Sequence, residues 1–253
     1  MLDVDHVSKE FEGLVALADV SFSAHEKQIK ALIGPNGAGK TTLFNVVSGL
    51  FHCNSGRISF KGVDITKMKS HKICRLGVAR TFQIPRLFWQ MTVLENVKTG
   101  CFPWTVSDVV ACGLKTSSCR REAREIEAHS MEILGFLGLE NQRAVPAAKL
   151  PIGEQKLLEI GRALATKPSF VMLDEPAGGL NDRETERLAE NILMLKNSLG
   201  ITVLLVEHDM NLVMDIADSI VVLNYGRKLA EGTPREIQNN EHVIEAYLGK
   251  SLR

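Results

Sequence analysis

The stretch Gly34-Pro35-Asn36-Gly37-Ala38-Gly39-Lys40-Thr41-Thr42 decides the fold. It satisfies G-x-x-x-x-G-K-[ST], and its flanks, the apolar run Ala31-Leu32-Ile33 before it and residues 43–50 after it, read as strand, loop and helix. Glycines let the backbone close around a phosphate with its N–H groups pointing inward, and the following helix N-terminus adds partial positive charge. Lys40 is placed to neutralise the β- and γ-phosphates of a nucleotide. Thr41 supplies the hydroxyl suited to Mg²⁺, an ion that prefers octahedral oxygen ligands shared with phosphate.

Working outward, the other half of such a site is expected where an apolar strand ends in acids. Phe170-Val171-Met172-Leu173 runs directly into Asp174-Glu175-Pro176. Asp174 is placed to hold Mg²⁺, directly or through water, and Glu175, the next residue along the strand and facing the other way, to polarise an attacking water. The runs 31–33 and 170–173 and a third, Ile201-Thr202-Val203-Leu204-Leu205-Val206, lack polar alternation, the pattern of parallel strands covered on both faces. Residues 1–30 alternate in short bursts, as in Val15-Ala16-Leu17-Ala18-Asp19-Val20-Ser21-Phe22, and predict antiparallel strands at a sheet edge, with Ile58-Ser59-Phe60-Lys61-Gly62 another strand. Residues 120–139 place Ile126, Met131, Ile133, Leu134 and Leu137 at helical spacings among charges. About 85–165 therefore reads as helical structure inserted into an α/β unit, and about 234–253 as a short helical tail of the same single domain.

Composition bounds the remaining possibilities. The 30 lysines and arginines balance 30 aspartates and glutamates, so no global basic field recommends a nucleic acid or an anionic membrane as partner. The five cysteines, Cys53, Cys74, Cys101, Cys112 and Cys119, have neither C-x-x-C spacing nor a regular framework, which fits reduced thiols in a cytosolic protein. The opening Met1-Leu2-Asp3-Val4-Asp5 carries acids where a signal peptide needs a positive region, and no stretch reaches about 18 uninterrupted apolar residues. Any membrane role is therefore expected to come through partners.

A phosphate loop alone allows a kinase, a GTPase or a motor. The segment Leu150-Pro151-Ile152-Gly153-Glu154-Gln155-Lys156-Leu157-Leu158-Glu159-Ile160-Gly161-Arg162-Ala163-Leu164, shortly before Asp174-Glu175, resembles the signature segment of ABC ATPases. Gln83 in Arg80-Thr81-Phe82-Gln83 resembles that family's Q-loop glutamine, Gly179-Leu180-Asn181-Asp182 its D-loop, and His208 in Val206-Glu207-His208-Asp209 its switch histidine. Phe11 takes the place of the aromatic residue that stacks on adenine. The resemblance spans essentially the whole chain and implies the ABC ATPase fold: a P-loop NTPase core with a mixed sheet, an antiparallel β subdomain and an inserted helical subdomain.

Within the family, Arg80-Thr81-Phe82-Gln83, Arg86-Leu87-Phe88, Met91-Thr92-Val93-Leu94-Glu95-Asn96-Val97 and the tail Val243-Ile244-Glu245-Ala246-Tyr247-Leu248-Gly249 are similar to ATPase subunits of branched-chain amino acid importers. Close relatives of those serve urea, short amides or lipopolysaccharide export, and a non-transport ABC ATPase or a regulatory nucleotide-binding module are further alternatives. The resemblance implies ATP and Mg²⁺ as cofactors, with Gln83 joining Thr41 and Asp174 at the metal and Gln83 and His208 contacting the γ-phosphate or its water. It implies membrane-spanning permease subunits and, indirectly, a substrate-binding protein, at the cytoplasmic face of the cell membrane. It also implies a second ATPase subunit, identical or homologous, packed head to tail so that each site joins one chain's phosphate loop to the other's signature segment. Arg86, Leu87 and Phe88 are expected to help dock a short helix of a membrane subunit. The chain departs from the family at Pro151, where a serine usually receives the γ-phosphate across the dimer. Proline has neither hydroxyl nor N–H, although it suits a helix start and leaves the dipole and Gly153 in place. The two composite sites of an assembled pair are therefore expected to be unequal.

Overall fold

The structure is a computed structural model describing residues 1–105 and 117–248; Cys112 and residues 249–253 lie outside them. Strands β1 (Leu2–Phe11), β2 (Leu14–Ala24), β4 (Ser55–Phe60) and β5 (Val63–Asp64) form an antiparallel sheet in the order β2-β1-β4-β5. Only β2 and β5 are edges; β1 pairs on both sides, Val4 facing Phe22 on β2 and Ile58 on β4.

A second sheet runs β10-β9-β3-β8-β7-β6, built from β3 (Ile29–Ile33), β6 (Val78–Arg80), β7 (Phe170–Asp174), β8 (Thr202–Val206), β9 (Ser219–Asn224) and β10 (Arg227–Gly232). All its pairings are parallel except β10 on β9. The unbroken apolar runs follow from cover on both faces. On β7 and β8, Val171, Leu173, Val203 and Leu205 face one core while Phe170, Met172, Leu204 and Val206 face another. Strand β3 contributes Ala31 and Ile33 to a third core, closed by Ile237 and Val243.

Helices α1 (Lys40–Val47) and α2 (Ser70–Arg75) pack with the antiparallel sheet on one side of the parallel strands, through Leu43, Phe44 and Ile73. On the other side lie α3 (Val93–Thr99), α4 (Ser117–Leu137), α5 (Ile152–Leu164), α6 (Asp182–Asn197) and α7 (Met210–Ile216). Helices α8 (Pro234–Gln238) and α9 (Glu241–Leu248) follow β10. A Thr at the N-cap with Glu three residues on starts α3 (Thr92, Glu95) and α8 (Thr233, Glu236), each a reciprocal capping box. Trp104 donates its indole N–H to the Ala165 carbonyl at 2.8 Å, tying the chain after α3 to the end of α5. Among the described residues no helix is long and apolar enough to cross a membrane. Cys53, Cys74 and Cys101 are free thiols.

Because β3, β8, β7 and β6 are parallel, everything that follows their carboxyl ends collects along one rim: residues 34–42, Glu207 with His208, Glu175, and the segment from Arg80 to Gln83. A crevice beyond the carboxyl ends of parallel strands is where open α/β sheets place ligands.

Candidate active site

The phosphate loop leaves β3 through Gly34, whose φ is +149°, and a Cβ there would meet the Leu223 carbonyl oxygen at 2.1 Å. At the other end Gly39, with φ +102°, is the N-cap of α1, and a Cβ would meet the Ala16 carbonyl oxygen at 2.7 Å. Both glycines are thus fixed by close backbone approach as well as by conformation. Lys40 folds over the loop and donates to the carbonyls of Gly34 at 2.7 Å and Pro35 at 3.1 Å. Burial pushes its ammonium below the usual lysine range, while Glu175 and Asp174 across the rim pull it back up. Pro35, Asn36, Gly37 and Ala38 line a concavity closed by Tyr225 and α9. Thr41 is exposed and Thr42 half-buried, and neither hydroxyl has a partner among the described residues.

Asp174 ends β7 and is almost wholly buried, so desolvation raises its pKa, with Arg80 opposing. One carboxylate oxygen accepts from the Arg80 guanidinium at 2.8 Å; the other has no protein partner among the described residues. Glu175 is not a strand residue facing the opposite side. It lies one position beyond β7 with φ +49°, and its N–H donates to the Val206 carbonyl of β8. This left-handed turn, costing roughly 1–2 kcal/mol for a residue with a Cβ, is what aims its side chain. Gln83 donates its amide N–H to one Glu175 oxygen at 2.5 Å, and His208 Nε2 lies 2.8 Å from the other. Residues 92 and 33 positions apart in sequence are thereby joined on a single carboxylate.

The signature-like segment forms α5. Pro151 is its exposed N-cap, one residue before the first turn, and supplies no side-chain cap; Ile152 beside it is 43% exposed. Glu154 turns aside to accept from Gln142 at 3.2 Å. Gly153 is buried beneath the start of α6: a Cβ would come within 2.8 Å of a Glu184 carboxylate oxygen, and Glu184 is itself locked in a capping box with Asn181. Phe11 is 36% exposed, edge-on to Phe51 at 5.4 Å, with the Lys9 ammonium 4.7 Å from its ring centre.

Several residues of the site carry no sequence signal of their own. Lys156 on α5, buried and driven below the usual lysine range by desolvation, donates to the Glu175 backbone carbonyl at 3.1 Å. Glu207, buried and raised above the usual carboxylate range by desolvation, accepts from the N–H groups of Ala177 at 2.6 Å and His208 at 3.0 Å, joining the turn after β7 to the turn after β8. Glu159 accepts from the Arg86 N–H at 3.1 Å, and Arg162 donates to the Arg86 carbonyl, so α5 grips residues 82–88 from one side. Leu87, expected at a docking surface, is instead 6% exposed and belongs to the core, because that grip turns it inward. Arg86 lines a groove of about 450 Å³ with Ile73, Phe82, Phe102 and Arg162; Phe88 lies outside it, half exposed, with the Arg162 guanidinium 4.9 Å from its ring centre.

A phosphate loop whose lysine faces two strand-end acids, with a glutamine and a histidine converging on the second acid and a separate glycine-containing helix start nearby, defines an ATPase of the ATP-binding cassette type. The chain belongs to the ABC transporter family: the family model of that description matches residues 17–178, and a model described as branched-chain amino acid ATP-binding cassette transporter matches 227–252. It falls in that branched-chain subfamily and is an ATPase whose hydrolysis is coupled to transport. It is 44% identical, over 99% of its length and 98% of the relative's, to the high-affinity branched-chain amino acid transport ATP-binding protein BraF of Pseudomonas aeruginosa. It is 43% identical over the same shares to the similarly described protein LivG of Escherichia coli K12. The solved structure of a nucleotide-free ATP-binding cassette from an ABC transporter superimposes with a TM-score of 0.86 at 33% identity, covering 99% of each chain.

Proposed function

We propose that this chain is an ATP-hydrolysing subunit that powers uptake of branched-chain amino acids, working at the cytoplasmic face of the membrane through permease subunits. The observation that carries the catalytic part is the single carboxylate of Glu175 held between Gln83 and His208, on the same rim as Lys40. The substrate class rests on the relatives at 43–44% identity, whose own names describe branched-chain amino acid transport. On this reading the chain is one ABC ATPase domain, with its helical insertion at about 85–165 and its tail at about 234–253.

The donor set fits Mg²⁺. Thr41 offers a hydroxyl and Asp174 a carboxylate oxygen, neither with a partner among the described residues, and Gln83 an amide oxygen, all hard ligands. Among the described residues no cluster of three or more His, Cys, Asp or Glu side chains forms a self-sufficient metal cage, as suits a cation shared with nucleotide phosphates. Mg²⁺ bound there supplies charge neutralisation to the transferring phosphoryl group. Lys40 exchanges the loop carbonyls it now holds for phosphate oxygens, and the glycine loop's N–H groups surround them. Glu175 orients the attacking water and accepts its proton as the water oxygen bonds to phosphorus, while His208 and Gln83 keep that carboxylate aimed. Phe11 offers its partly open ring to the adenine.

The N-terminus of α5 faces outward at Pro151 and Ile152, with Gly153 packed behind them against α6, to receive the γ-phosphate of a nucleotide held by a second ATPase subunit. The groove beside Arg86, floored by apolar side chains including the 77%-exposed Phe102, suits a short helix of a permease subunit. Co-purification with permease subunits and a second ATPase, reconstitution in liposomes, and measurement of ATPase activity with binding protein loaded with leucine, isoleucine or valine tests the assignment. Stimulation by these ligands is expected. Stimulation by urea or short amides instead would transfer the assignment to those substrates.

A further inference from the structure

Arg80 is the last residue of β6 and enters the sequence motifs only as a flank of Gln83 with no role of its own, yet its guanidinium sits at the centre of the site's buried polar contacts. One nitrogen donates to Asp174 at 2.8 Å; another donates to Asn45 Oδ1 at 2.6 Å and Ser48 Oγ at 3.0 Å, both near the end of the helix that begins at Lys40. The rings of Phe44 and Phe82 lie 5.6 and 5.1 Å from it. Arginine's planar fork suits this arrangement, since it binds a carboxylate along one edge, hydrogen-bonds elsewhere along another and stacks on aromatic faces. Thr81, the next residue, accepts from the Asp174 N–H at 3.3 Å, so Asp174 is fixed by backbone and side chain from the same short segment.

We infer that Arg80 is a positioning residue for the cation half of the site, holding one oxygen of Asp174 so that the other is presented to Mg²⁺. The inference rests on the proposed role of Asp174. Its physical basis is geometric. A buried carboxylate has two oxygens, and a residue that occupies one with a fixed, permanently charged donor leaves a single direction for a metal ligand. Arg80 is itself anchored on α1, whose first residues are Lys40 and Thr41, so the carboxylate and the phosphate loop are held in one frame. Without the guanidinium, Asp174 would lose both its counter-charge and its orientation.

Equilibrium binding of a fluorescent ATP analogue to the full chain, carrying Glu175→Gln to keep the nucleotide intact, is to be measured in EDTA and in saturating Mg²⁺. The ratio of the two affinities reads the coupling between metal and nucleotide. Arg80→Met is expected to cut that ratio by about tenfold while moving the EDTA affinity by less than about twofold, with Arg80→Lys restoring part of it. Asn45→Ala combined with Ser48→Ala, which keeps both charges and removes only the anchors, is expected to act in the same direction more weakly, and it decides the matter if Arg80→Met does not fold. Unchanged coupling in these variants, or an equal loss with and without Mg²⁺, overturns the inference. Asp174→Asn separates the two levels: if it lowers the coupling and Arg80→Met does not, only Arg80's role fails; if it leaves the coupling intact, the role of Asp174 fails.

Discussion

Glu175 occupies a backbone conformation that a side chain makes unfavourable, and the surroundings hold it there from every side: Val206 at its N–H, Lys156 at its carbonyl, Gln83 and His208 at its carboxylate. Local strain kept in place by so many partners is characteristic of a residue whose direction matters. Glu175→Gln keeps the shape and removes the base. It is expected to lower the ATPase rate of the assembled complex by roughly 10²–10⁴-fold with little change in ATP affinity, checked by phosphate release alongside equilibrium nucleotide binding. Gly153 makes a different demand. A methyl group there would press on Glu184, whose carboxylate cannot retreat without breaking the cap of α6. Gly153→Ala is expected to destabilise the chain by about 1–3 kcal/mol in urea unfolding, the usual range for overpacking.

At the scale of elements, α5 is both the carrier of the signature-like sequence and the clamp on the segment after β6. Glu159 and Arg162 hold Arg86 by its N–H and its carbonyl, Lys156 reaches Glu175, and Gly100 at the end of α3 packs so closely that a Cβ would meet the Arg162 carbonyl at 2.3 Å. The far edge of the sheet has its own tie. Lys30 on β3, buried, reaches past β9 to Glu231 on β10, which also pairs with Lys228. Burial alone would raise the Glu231 pKa, but hydrogen bonds from Lys30 and Lys228 outweigh it and hold the carboxyl below its usual range. A depressed folded-state pKa means stability that is complete above the unfolded value and is lost as pH falls through the folded one. Melting temperature followed from neutral pH down through the carboxylate range is therefore expected to fall more steeply for the native chain than for Glu231→Gln, which starts lower. What was legible in the sequence, and what was not, divides on contact distance. The glycine loop, the apolar strands and the acids after β7 are local patterns, dictated by phosphate geometry and two-sided burial. Arg80, Lys156, Glu159 and Glu207 act through partners on other elements, Arg80 on a residue 94 positions away, and nothing near them in sequence announces it. Leu87 is expected at a docking surface because it follows Gln83 in the family-like segment, and the long-range grip of α5 on Arg86, which that segment does not announce, turns it inward.

For the whole molecule, the parallel strands put Lys40, Asp174, Glu175, Gln83 and His208 on one rim, with Phe11 apart on the antiparallel sheet, while the start of α5 is a separate, outward-facing helix end without a side-chain cap. One chain therefore carries a fully furnished loop and a lean receiving surface. On the proposed receiving surface Pro151 lacks a hydroxyl and an N–H; of the two acids close to this helix start, Glu154 is drawn toward Gln142 and Glu184 is held in the cap of α6. What remains to attract a γ-phosphate is the helix dipole and the N–H groups of the first turn. A serine at position 151 would add a charge-assisted hydrogen bond, worth about 1.5–3 kcal/mol, or on the order of tenfold or more in affinity. In the Glu175→Gln background with Mg²⁺ and ATP, Pro151→Ser is accordingly expected to shift the monomer–dimer equilibrium toward the dimer by about tenfold or more in concentration, read by size-exclusion chromatography across a dilution series. If the two composite sites of the assembled transporter are unequal as proposed, the same substitution raises turnover. A dimerisation midpoint unmoved by the serine would mean that the helix end alone suffices, and the inequality between the two sites would have to be sought in the partner subunit.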